Sequence, residues 1–564
     1  MTRTRLARLL VVLSAAALAA GCAAIPESTP VVVVDENLGA SDGFTVGAPQ
    51  PGLDPLSVVR LFVEAGVSHA DEHQAARSYL TEESARRWDD EAPILVIDDT
   101  FGTSPVDAGG ADDRRLVTLR TSKIGQLDQS GVFRLHREPS DFRLTLVKEN
   151  GEWRITDPPR GLLMRIRDFR ATFRVVDLSF VDATSNVLIK DRRWVLNRPA
   201  SALPGRVVNL LLGEPSADLR GSVVNELSGA RLLTNVTQAP DSVLAVDLTG
   251  LQQLTDVQRE LAAAQIVRSI GDVVNQPVRI LIDGERLTPD RPIWRVDDAQ
   301  KYVPTIDVTP GLPGLVVTNG RVLQIGSNQP AVGVDIANAV SAAQSVDGHK
   351  YAVVAAEPSG APRLWVGPSG DLRPVDLPAT SIDRPNWRRA RDEVWVVLDG
   401  NRLVSVTAST GAVQAVDVSE LTRMGPLSEL RLSRDGVRVA AIVGNMLVLG
   451  SIVGSGAQMS VRNTRVLPPP SPSPLVDIDF VGTDVVVVAT ASLDRPLYET
   501  SVDGLTTSSF GTANLTLPIT SLAAVSGRPV LVADQLGVWS STTASSVWQR
   551  EGEFGPNSVP VYPG

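Results

Sequence analysis

The amino-acid sequence predicts a multidomain fold: an N-terminal α+β domain, an α/β domain and a C-terminal all-β propeller. The chain is 564 residues long, which at roughly 150 residues per domain corresponds to three or four domains. Before about residue 300, apolar residues recur with helical and with strand spacing. After about residue 310, short Val-rich runs alternate with Gly, Asp, Ser and Pro. This change of pattern assigns the helices to the first two domains and strands to the last.

The charge balance argues against a nucleic-acid partner. The net charge is -11, and 21% of the residues are charged. Of the 53 basic residues, 48 are arginines and five are lysines, and no dense Lys/Arg block occurs. Nucleic-acid binders concentrate basic residues on one face or segment. The sequence therefore predicts no nucleic-acid partner.

Residues 1–21 have the pattern of a signal peptide. Arg3, Arg5 and Arg8 provide a positive N-terminal region, and Leu9 to Ala20 is an unbroken, mostly apolar run of twelve residues. That length is typical of a signal-peptide core and is short for roughly 30 Å of hydrocarbon. Beyond residue 22 the sequence has no run of 18 or more apolar residues. The remainder is therefore predicted to lie outside the cytoplasm.

The only cysteine, Cys22, can form no disulfide within the chain. It follows Leu18-Ala19-Ala20-Gly21, a segment that resembles the lipobox of bacterial lipoproteins. The resemblance implies cleavage between Gly21 and Cys22, S-diacylglycerol and N-palmitoyl groups on Cys22, and anchoring at the extracytoplasmic face of the cell membrane. The alternative is a secreted protein that is cleaved nearby and carries an incidental cysteine. Residues 22–52, with several prolines and glycines, are predicted to form a lipidated tether.

The first domain is predicted over residues 53–180. Asp54-Pro55 provides an N-cap and a proline at the first helical position, and an apolar stripe follows; its members are Val58, Val59, Phe62 and Val63. Later, Phe142 to Val147 alternates apolar and polar residues up to Asn150-Gly151, and Trp153 to Ile155 resumes the alternation. An Asn-Gly pair between alternating runs predicts a β-hairpin.

The second domain is predicted over residues 181–300 with strand, helix and strand in that order. Ser242 to Leu248 and Val278 to Ile282 have strand patterns, and Asp283-Gly284 ends the second one. Between them, Thr255 and Gln258 form a capping box. The helix is predicted to end at Gly271 and to direct four side chains inward: Val257, Leu261, Ala264 and Val267. This order predicts a small sheet covered by helices.

Residues 310–564 are predicted to form a β-propeller. Ser345-Val346-Asp347-Gly348 and Ser433-Arg434-Asp435-Gly436 each precede an apolar run, and they lie 88 residues apart, twice 44. A period of roughly 40 to 50 residues is typical of propeller blades. In an S-x-D-G turn between antiparallel strands, glycine supplies a positive φ and aspartate caps the turn. Degenerate copies begin at Asp383, Val476 and Ser521, which indicates five or six blades, with a β-sandwich as the alternative.

Motif analysis predicts no catalytic site, no metal site and no cofactor. His69 and His73 stand at i and i+4 but lack an evident third ligand, so a solvated surface is favoured over a metal pair. The segment 39–43 satisfies G-x-S-x-G only in its letters, because prolines rather than a helix follow it. The arginine-rich segment 160–174, with Arg165, Arg167 and Arg170, is amphipathic. It is either an ordinary surface or a contact to anionic headgroups or an acidic partner.

Several segments, in the order in which they occur along the chain, resemble known families. Leu210 to Pro215, Val246 to Leu248, Glu260 to Val267 and Val278 to Gly284 together resemble the GerMN domain. Ala76 to Thr81, Trp88, Gly161 to Met164 and Asp191-Arg192-Arg193-Trp194 resemble the LpqB lipoprotein family of actinobacteria. The order of lipobox, α+β region, GerMN domain and propeller also resembles that family over almost the whole chain.

The resemblance implies a non-enzymatic accessory of a two-component system. LpqB-type lipoproteins act with the sensor histidine kinase MtrB, whose response regulator is MtrA, and bind the extracytoplasmic part of the kinase. The implied role is in cell-envelope homeostasis and division. The sequence leaves two alternatives open. One is a propeller enzyme, which predicts a convergent His/Asp/Arg set in the channel. The other is a glycan-binding scaffold, which predicts exposed aromatic platforms from Trp365, Trp387, Trp395, Trp539 and Trp548.

Overall fold

The computed structural model describes residues 49–67, 73–106, 113–251, 254–304, 308–388, 391–544 and 547–564. All of these residues belong to one compact unit, Val46–Gly564. Within them, no helix is both long and apolar enough to cross a membrane. The predicted signal peptide and nearly all of the predicted tether lie outside the described residues.

The first domain is a six-stranded sheet with a helix packed on it. The sheet has the strand order β5-β4-β3-β1-β6, in which β1 and β6 are parallel and β2 pairs with β3. Its elements are α1 (Pro55–Ala65), α2 (Gln74–Arg77), α3 (Glu82–Arg87), β1 (Ile94–Ile97), β2 (Gly102–Val106), β3 (Arg114–Leu127), β4 (Phe133–Glu149), β5 (Glu152–Ile155), β6 (Leu163–Arg165) and α4 (Ile166–Thr172).

Local signals in this domain have the structures that the sequence predicts. The Asp54 carboxylate accepts hydrogen bonds from the backbone N–H groups of Leu56 and Ser57, at 2.9 and 3.1 Å. The predicted apolar stripe of α1 is buried against the sheet. Asn150 and Gly151 join β4 to β5 with positive φ values of 55° and 85°, as a two-residue hairpin turn requires.

The second domain has two small sheets and two principal helices. Its elements are β7 (Phe173–Asp182), β8 (Leu188–Leu196), α5 (Leu203–Leu211), β9 (Val223–Val224), β10 (Arg231–Leu232), β11 (Thr237–Gln238), β12 (Leu244–Thr249), α6 (Asp256–Gly271), β13 (Val278–Ile282), β14 (Glu285–Arg286) and the 3-10 helices Ala200–Ala202, Ala217–Leu219 and Val296–Tyr302. Strands β12 and β13 are parallel, and α6 connects them. The capping box of Thr255 and Gln258 is formed. Strand β7 crosses residues 180 and 181, where the sequence places the boundary between the domains.

One predicted core residue of α6 was wrong. Leu261, Ala264 and Val267 are buried, but Val257 is 56% exposed. Val257 shares their helical spacing, yet it lies in the first turn of α6, one turn before the buried stretch that begins at Leu261. Periodicity identifies the face of a helix but does not show how far along the helix its packing partners extend.

In the part of the chain that the structure describes, six successive antiparallel sheets form the propeller. The number of blades is therefore six, within the predicted five or six, and the domain is not a β-sandwich. Blade 1 contains β37 (Val559–Val561), β15 (Leu315–Thr318) and β16 (Arg321–Gln324); blade 2, β17 (Ala339–Gln344), β18 (Lys350–Ala356), β19 (Pro362–Pro368) and β20 (Arg373–Val375); blade 3, β21 (Asn386–Arg388), β22 (Glu393–Leu398), β23 (Arg402–Thr407) and β24 (Val413–Val416). Blade 4 contains β25 (Leu427–Leu432), β26 (Arg438–Val443), β27 (Met446–Val453) and β28 (Ser460–Leu467); blade 5, β29 (Leu475–Phe480), β30 (Val485–Thr490), β31 (Leu497–Ser501) and β32 (Thr507–Ser509); blade 6, β33 (Ser521–Ala523), β34 (Val530–Ala533), β35 (Val538–Ser541) and β36 (Gln549–Arg550). The short helix α7 (Ser419–Thr422) follows blade 3, and the 3-10 helix Gly456–Gln458 precedes β28.

The C-terminal strand closes the propeller. Each inner strand contacts the next, and β37 lies between β33 of blade 6 and β17 of blade 2. β37 also pairs with β15, so the last strand of the chain completes the first blade. Apolar side chains fill the space between neighbouring blades; Trp395 and Leu430, for example, pack between blades 3 and 4.

The two predicted S-x-D-G turns connect inner strands to second strands. In the first turn, Ser345 Oγ donates to Asp347 Oδ1 at 2.5 Å, and Gly348 has φ 78°. The turn at Ser433 has the same arrangement, with Gly436 at φ 72°. Both predicted roles, the aspartate cap and the glycine with positive φ, are therefore confirmed.

Candidate functional site

Gly21 and Cys22 of the predicted cleavage and lipidation site lie outside the described part of the chain. The same is true of residues 39–43 and His69, for which the sequence predicts no chemical role. His73 is described and precedes α2 with a left-handed backbone, φ 58°. Across the described ranges, no group of three His, Cys, Asp or Glu side chains is placed to hold a metal. The candidate site is instead the junction of the three domains.

The junction is built around Asp191-Arg192-Arg193-Trp194 on β8. Side chains alternate between the two faces of a strand, so Asp191 and Arg193 share one face. Arg193 is buried, and its Nη2 donates to Asp191 Oδ2 at 2.6 Å. The same guanidinium donates through Nη1 to the carbonyl oxygen of Ser130 in the first domain, at 2.9 Å. This face of β8 therefore joins the first domain to the second.

The other face of β8 binds the propeller. Arg192 donates through Nη1 to Asp484 Oδ2 at 3.0 Å and through Nε to Asp503 Oδ2 at 3.1 Å. Trp194 Nε1 donates to the same Asp503 oxygen at 2.9 Å. The Asp503 carboxylate is itself held by Ser501 Oγ, which donates to its other oxygen at 2.5 Å. Because these bonds involve ionised groups whose side chains are largely buried, they are stronger than neutral surface bonds.

An apolar cluster lies beside these polar contacts and also draws on all three domains. Phe169 of α4 stacks on Phe173 with ring centroids 5.0 Å apart. It also meets the Trp194 ring at 5.0 Å with a tilt of 48°. Leu505 of the propeller is 3% exposed and belongs to the same cluster. The junction therefore combines hydrophobic burial with ion pairing.

A single carboxylate connects the three domains at another point. Asp218 of the second domain receives hydrogen bonds from Arg134 of β4 at 3.0 Å and from Arg465 of β28 at 2.8 Å. Burial raises the pKa of Asp218, but the guanidinium groups of Arg465 and Arg134 outweigh it and hold this pKa below its usual value. The carboxylate is therefore ionised near neutral pH.

The propeller axis carries a second set of buried charges. Arg384, from the segment before β21, donates to the carbonyl oxygen of Leu522 in blade 6 at 2.9 Å and to Asp477 Oδ1 in blade 5 at 3.2 Å. Asp477 in turn accepts from Leu522 N at 2.8 Å. Asp479 accepts from Ala524 N at 2.9 Å. These contacts link blades 3, 5 and 6 across the axis.

Further buried charges lie beside these contacts. Arg431 forms an ion pair with Glu429, and Arg434 donates to Asp479 Oδ2 at 3.3 Å. Burial raises the pKa of Glu429 well above its ordinary value, with the Asp477 carboxylate adding to the effect, and burial raises the pKa of Asp479. Asp383 is close by, and burial raises its pKa to about 6.

These observations bear on the alternatives that the sequence left open. The axis gathers arginines and carboxylates, as a propeller enzyme would require, but the described residues place no histidine among them. Arg384 and Arg434 donate to carboxylates and backbone oxygens of other blades, which accounts for these two arginines as cross-links between blades. Trp387, Trp395 and Trp548 are buried, at 4%, 0% and 1% exposure. They therefore pack between blades and are not available as platforms for a glycan.

A groove lies between the first two domains, with a volume of about 360 Å³. Phe173, Trp194 and Leu210 contribute apolar surface, and Glu91 and Asn209 are exposed. Its other lining residues are His73, Asp90, Ala92, Ile94, Leu127, Asp128, Gln129, Gly131, Leu162, Val195, Leu196 and Arg206. An apolar surface with polar groups at its edge is suited to binding another protein.

Sequence reasoning missed Asp503, although a signal was present. Ser501-Val502-Asp503-Gly504 repeats the letters of Ser345 to Gly348. It forms the same turn, with Gly504 at φ 77°, but between β31 and β32. A search for the identical tetrapeptide would have found the turn. It would not have shown that Asp503 binds β8, because that contact joins positions 309 residues apart.

Family models match the three domains in the order in which they occur. Residues 48–170 match the N-terminal domain of lipoprotein LpqB, residues 177–288 match a domain described as "Sporulation and spore germination", and residues 319–563 match the LpqB beta-propeller domain. Together with the fold, these matches define a lipoprotein that joins a germination-type domain to a six-bladed propeller.

Full-length relatives give the same assignment. The lipoprotein LpqB of Rhodococcus opacus (strain B4) is 30% identical over 96% of this chain and 96% of its own length. LpqB of Mycolicibacterium smegmatis is 30% identical over 97% of this chain and 98% of its own length. LpqB of Nocardia farcinica is 29% identical over 96% of each chain. The protein belongs to the LpqB lipoprotein family, whose name describes a lipid-anchored protein.

Proposed function

We propose that this protein is an extracytoplasmic, membrane-anchored accessory of a two-component sensor histidine kinase of the MtrB type. In this proposal Cys22 carries the S-diacylglycerol and N-palmitoyl groups, the chain has no catalytic role, and the kinase partnership serves cell-envelope homeostasis and division. The family membership supports the lipid anchor. The kinase partner comes from the resemblance to LpqB-type lipoproteins.

The observation that carries the proposal is the junction around β8. Contacts of Arg192, Arg193 and Trp194 hold the first two domains and the propeller in fixed positions. A partner that binds the groove between the first two domains would therefore also be positioned relative to the propeller. This arrangement suits an adaptor, because one bound protein fixes where a second surface is presented.

The test is a membrane cross-linking pull-down with the extracytoplasmic domain of the kinase. The double variant E91R/N209R places two cations on exposed groove residues and should reduce recovery of the kinase domain at least fivefold, since unmatched charges in an interface oppose binding. The control E285R makes the same kind of change at an exposed position of β14 in the second domain and should leave recovery unchanged. If the wild-type chain recovers no kinase, or if the groove variant recovers as much as the control, the proposal is wrong.

A further inference from the structure

A cleft where the first domain meets the propeller gathers three arginines from distant parts of the sequence. Arg137 comes from β4, Arg170 from α4, and Arg495 from the connection between β30 and β31. The cleft has a volume of about 290 Å³, and Thr507 and Ser509 of β32 add hydroxyl groups to its wall. The fold, rather than a basic run in the sequence, creates this concentration of positive charge.

These charges have no counter-ion within the described chain. No carboxylate lines the cleft. Among the described residues, neither Arg137 nor Arg495 forms an ion pair, and Arg170 donates only to the backbone oxygen of Leu505, at 3.2 Å. The sequence neighbour Glu138 is instead paired with His136 at 3.0 Å.

Arg165, by contrast, is paired with carboxylates and has a structural role. Its Nε lies 2.5 Å from Asp168 Oδ2, its Nη1 lies 3.6 Å from Glu64 Oε1, and its side chain is 11% exposed. The arginine-rich segment 160–174 therefore divides into two parts. Arg165 stabilises the fold, while Arg170 enters the cleft without a carboxylate partner.

Three guanidinium groups in one cleft repel one another unless an anion lies between them. Guanidinium groups present planar pairs of N–H donors that match the oxygens of phosphate, and nearby hydroxyl groups can donate to the remaining oxygens. We propose that this arginine cleft binds an oxyanion of the phosphate class, supplied as a free phosphate or as the phosphodiester of a lipid headgroup. This binding site is independent of the proposed kinase partnership.

The experiment titrates the full chain, solubilised in a non-ionic detergent, with two probes by calorimetry. Pyrophosphate represents free phosphates, and glycerophosphoglycerol represents a lipid headgroup without its acyl chains. The variants are R137Q and R495Q, singly and together. The control is R321Q, because Arg321 on β16 is exposed and has no ion pair in the described chain.

Each cleft variant should weaken binding of the preferred probe roughly tenfold, the size expected for losing a charged hydrogen-bonding partner. The R321Q control should bind as the wild type does, and binding should weaken as salt rises. Preference for pyrophosphate identifies a free phosphate, and preference for glycerophosphoglycerol identifies a headgroup. The proposal fails if neither probe saturates the wild-type chain, or if the double variant binds as tightly as the control.

Discussion

Asp218 and Asp383 are the same residue type in two environments, and their pKa values move in opposite directions. Asp218 is buried between two guanidinium groups, which hold its pKa below the ordinary value. Asp383 is half-buried without such a partner, its Oδ2 accepts no hydrogen bond in the described chain, and its pKa rises to about 6. The nearest charges, rather than burial alone, decide which of these carboxylates is ionised in the folded protein.

The raised pKa of Asp383 makes the free energy of unfolding depend on pH. Between about pH 4 and pH 6 the folded protein binds more protons at this residue than the unfolded chain does, so stability falls as pH rises. The variant D383N lacks this titration. Over that interval the wild type should lose about 2 kcal/mol more than D383N, after allowance for partial exposure of the group. Urea unfolding at pH 4, 5 and 6 measures the difference, and parallel pH profiles would contradict the prediction.

At the scale of single elements, the S-x-D-G turn serves two purposes. At Ser345 and Ser433 it joins an inner strand to the second strand of a blade. At Ser501 it joins β31 to β32, and its aspartate also receives Arg192 and Trp194 from the second domain. A local motif can therefore become part of a domain contact without a change in its own hydrogen bonds.

Substitution of Gly504 tests how closely this third turn packs against Leu135 and Leu467. Gly504 has φ 77°, and an added Cβ would lie 2.6 Å from Leu467 Cδ1 and 2.7 Å from Leu135 Cδ2. Gly360 has a similar φ of 85° but open space around it. G360A should therefore cost about 1 kcal/mol for the backbone alone, and G504A about 2 to 3 kcal/mol because Leu135 and Leu467 must also move. Thermal unfolding measures both variants, and equal losses would show that Leu135 and Leu467 yield freely.

Short-range elements could be predicted from the sequence, whereas contacts between domains could not. The N-cap at Asp54, the hairpin at Asn150-Gly151 and the capping box at Thr255 each depend on residues within a few positions of one another. The contact of Trp194 with Asp503 depends on the whole fold. Val257 falls between these cases, because its spacing is local but its burial depends on what packs against the first turn of α6.

At the scale of the whole molecule, two features hold the chain in one arrangement. The junction around β8 fixes the first two domains to blade 5, and β37 fixes the end of the chain to β15. The first feature combines charged hydrogen bonds with a buried apolar cluster, and the second consists of backbone pairing between strands. We expect high salt to weaken the partly exposed ion pairs of the junction and to leave the pairing of β37 with β15 intact.

Removing β37 should open the propeller. Deletion of residues 558–564 leaves β15 without its inner neighbour and uncovers apolar residues between blades 1, 2 and 6. The truncated protein should be cleaved by protease under conditions in which the intact chain resists, because its blades lose cooperative packing. A control deletion of Pro563 and Gly564 keeps β37 and should remain resistant. Equal resistance of the two deletions would contradict this account of the closure.

The position of β37 also constrains the order of events during biosynthesis. The ribosome makes the N-terminal domains first, yet Val559–Val561 must be available before blade 1 has its inner strand. Domains usually fold as units as they emerge, but this propeller cannot close until Val559–Val561 have emerged. Until then β15 is an unprotected sheet edge, the kind of surface that pairs with other chains. The interval between the emergence of β15 and the emergence of β37 is therefore the period in which this edge can pair with another chain.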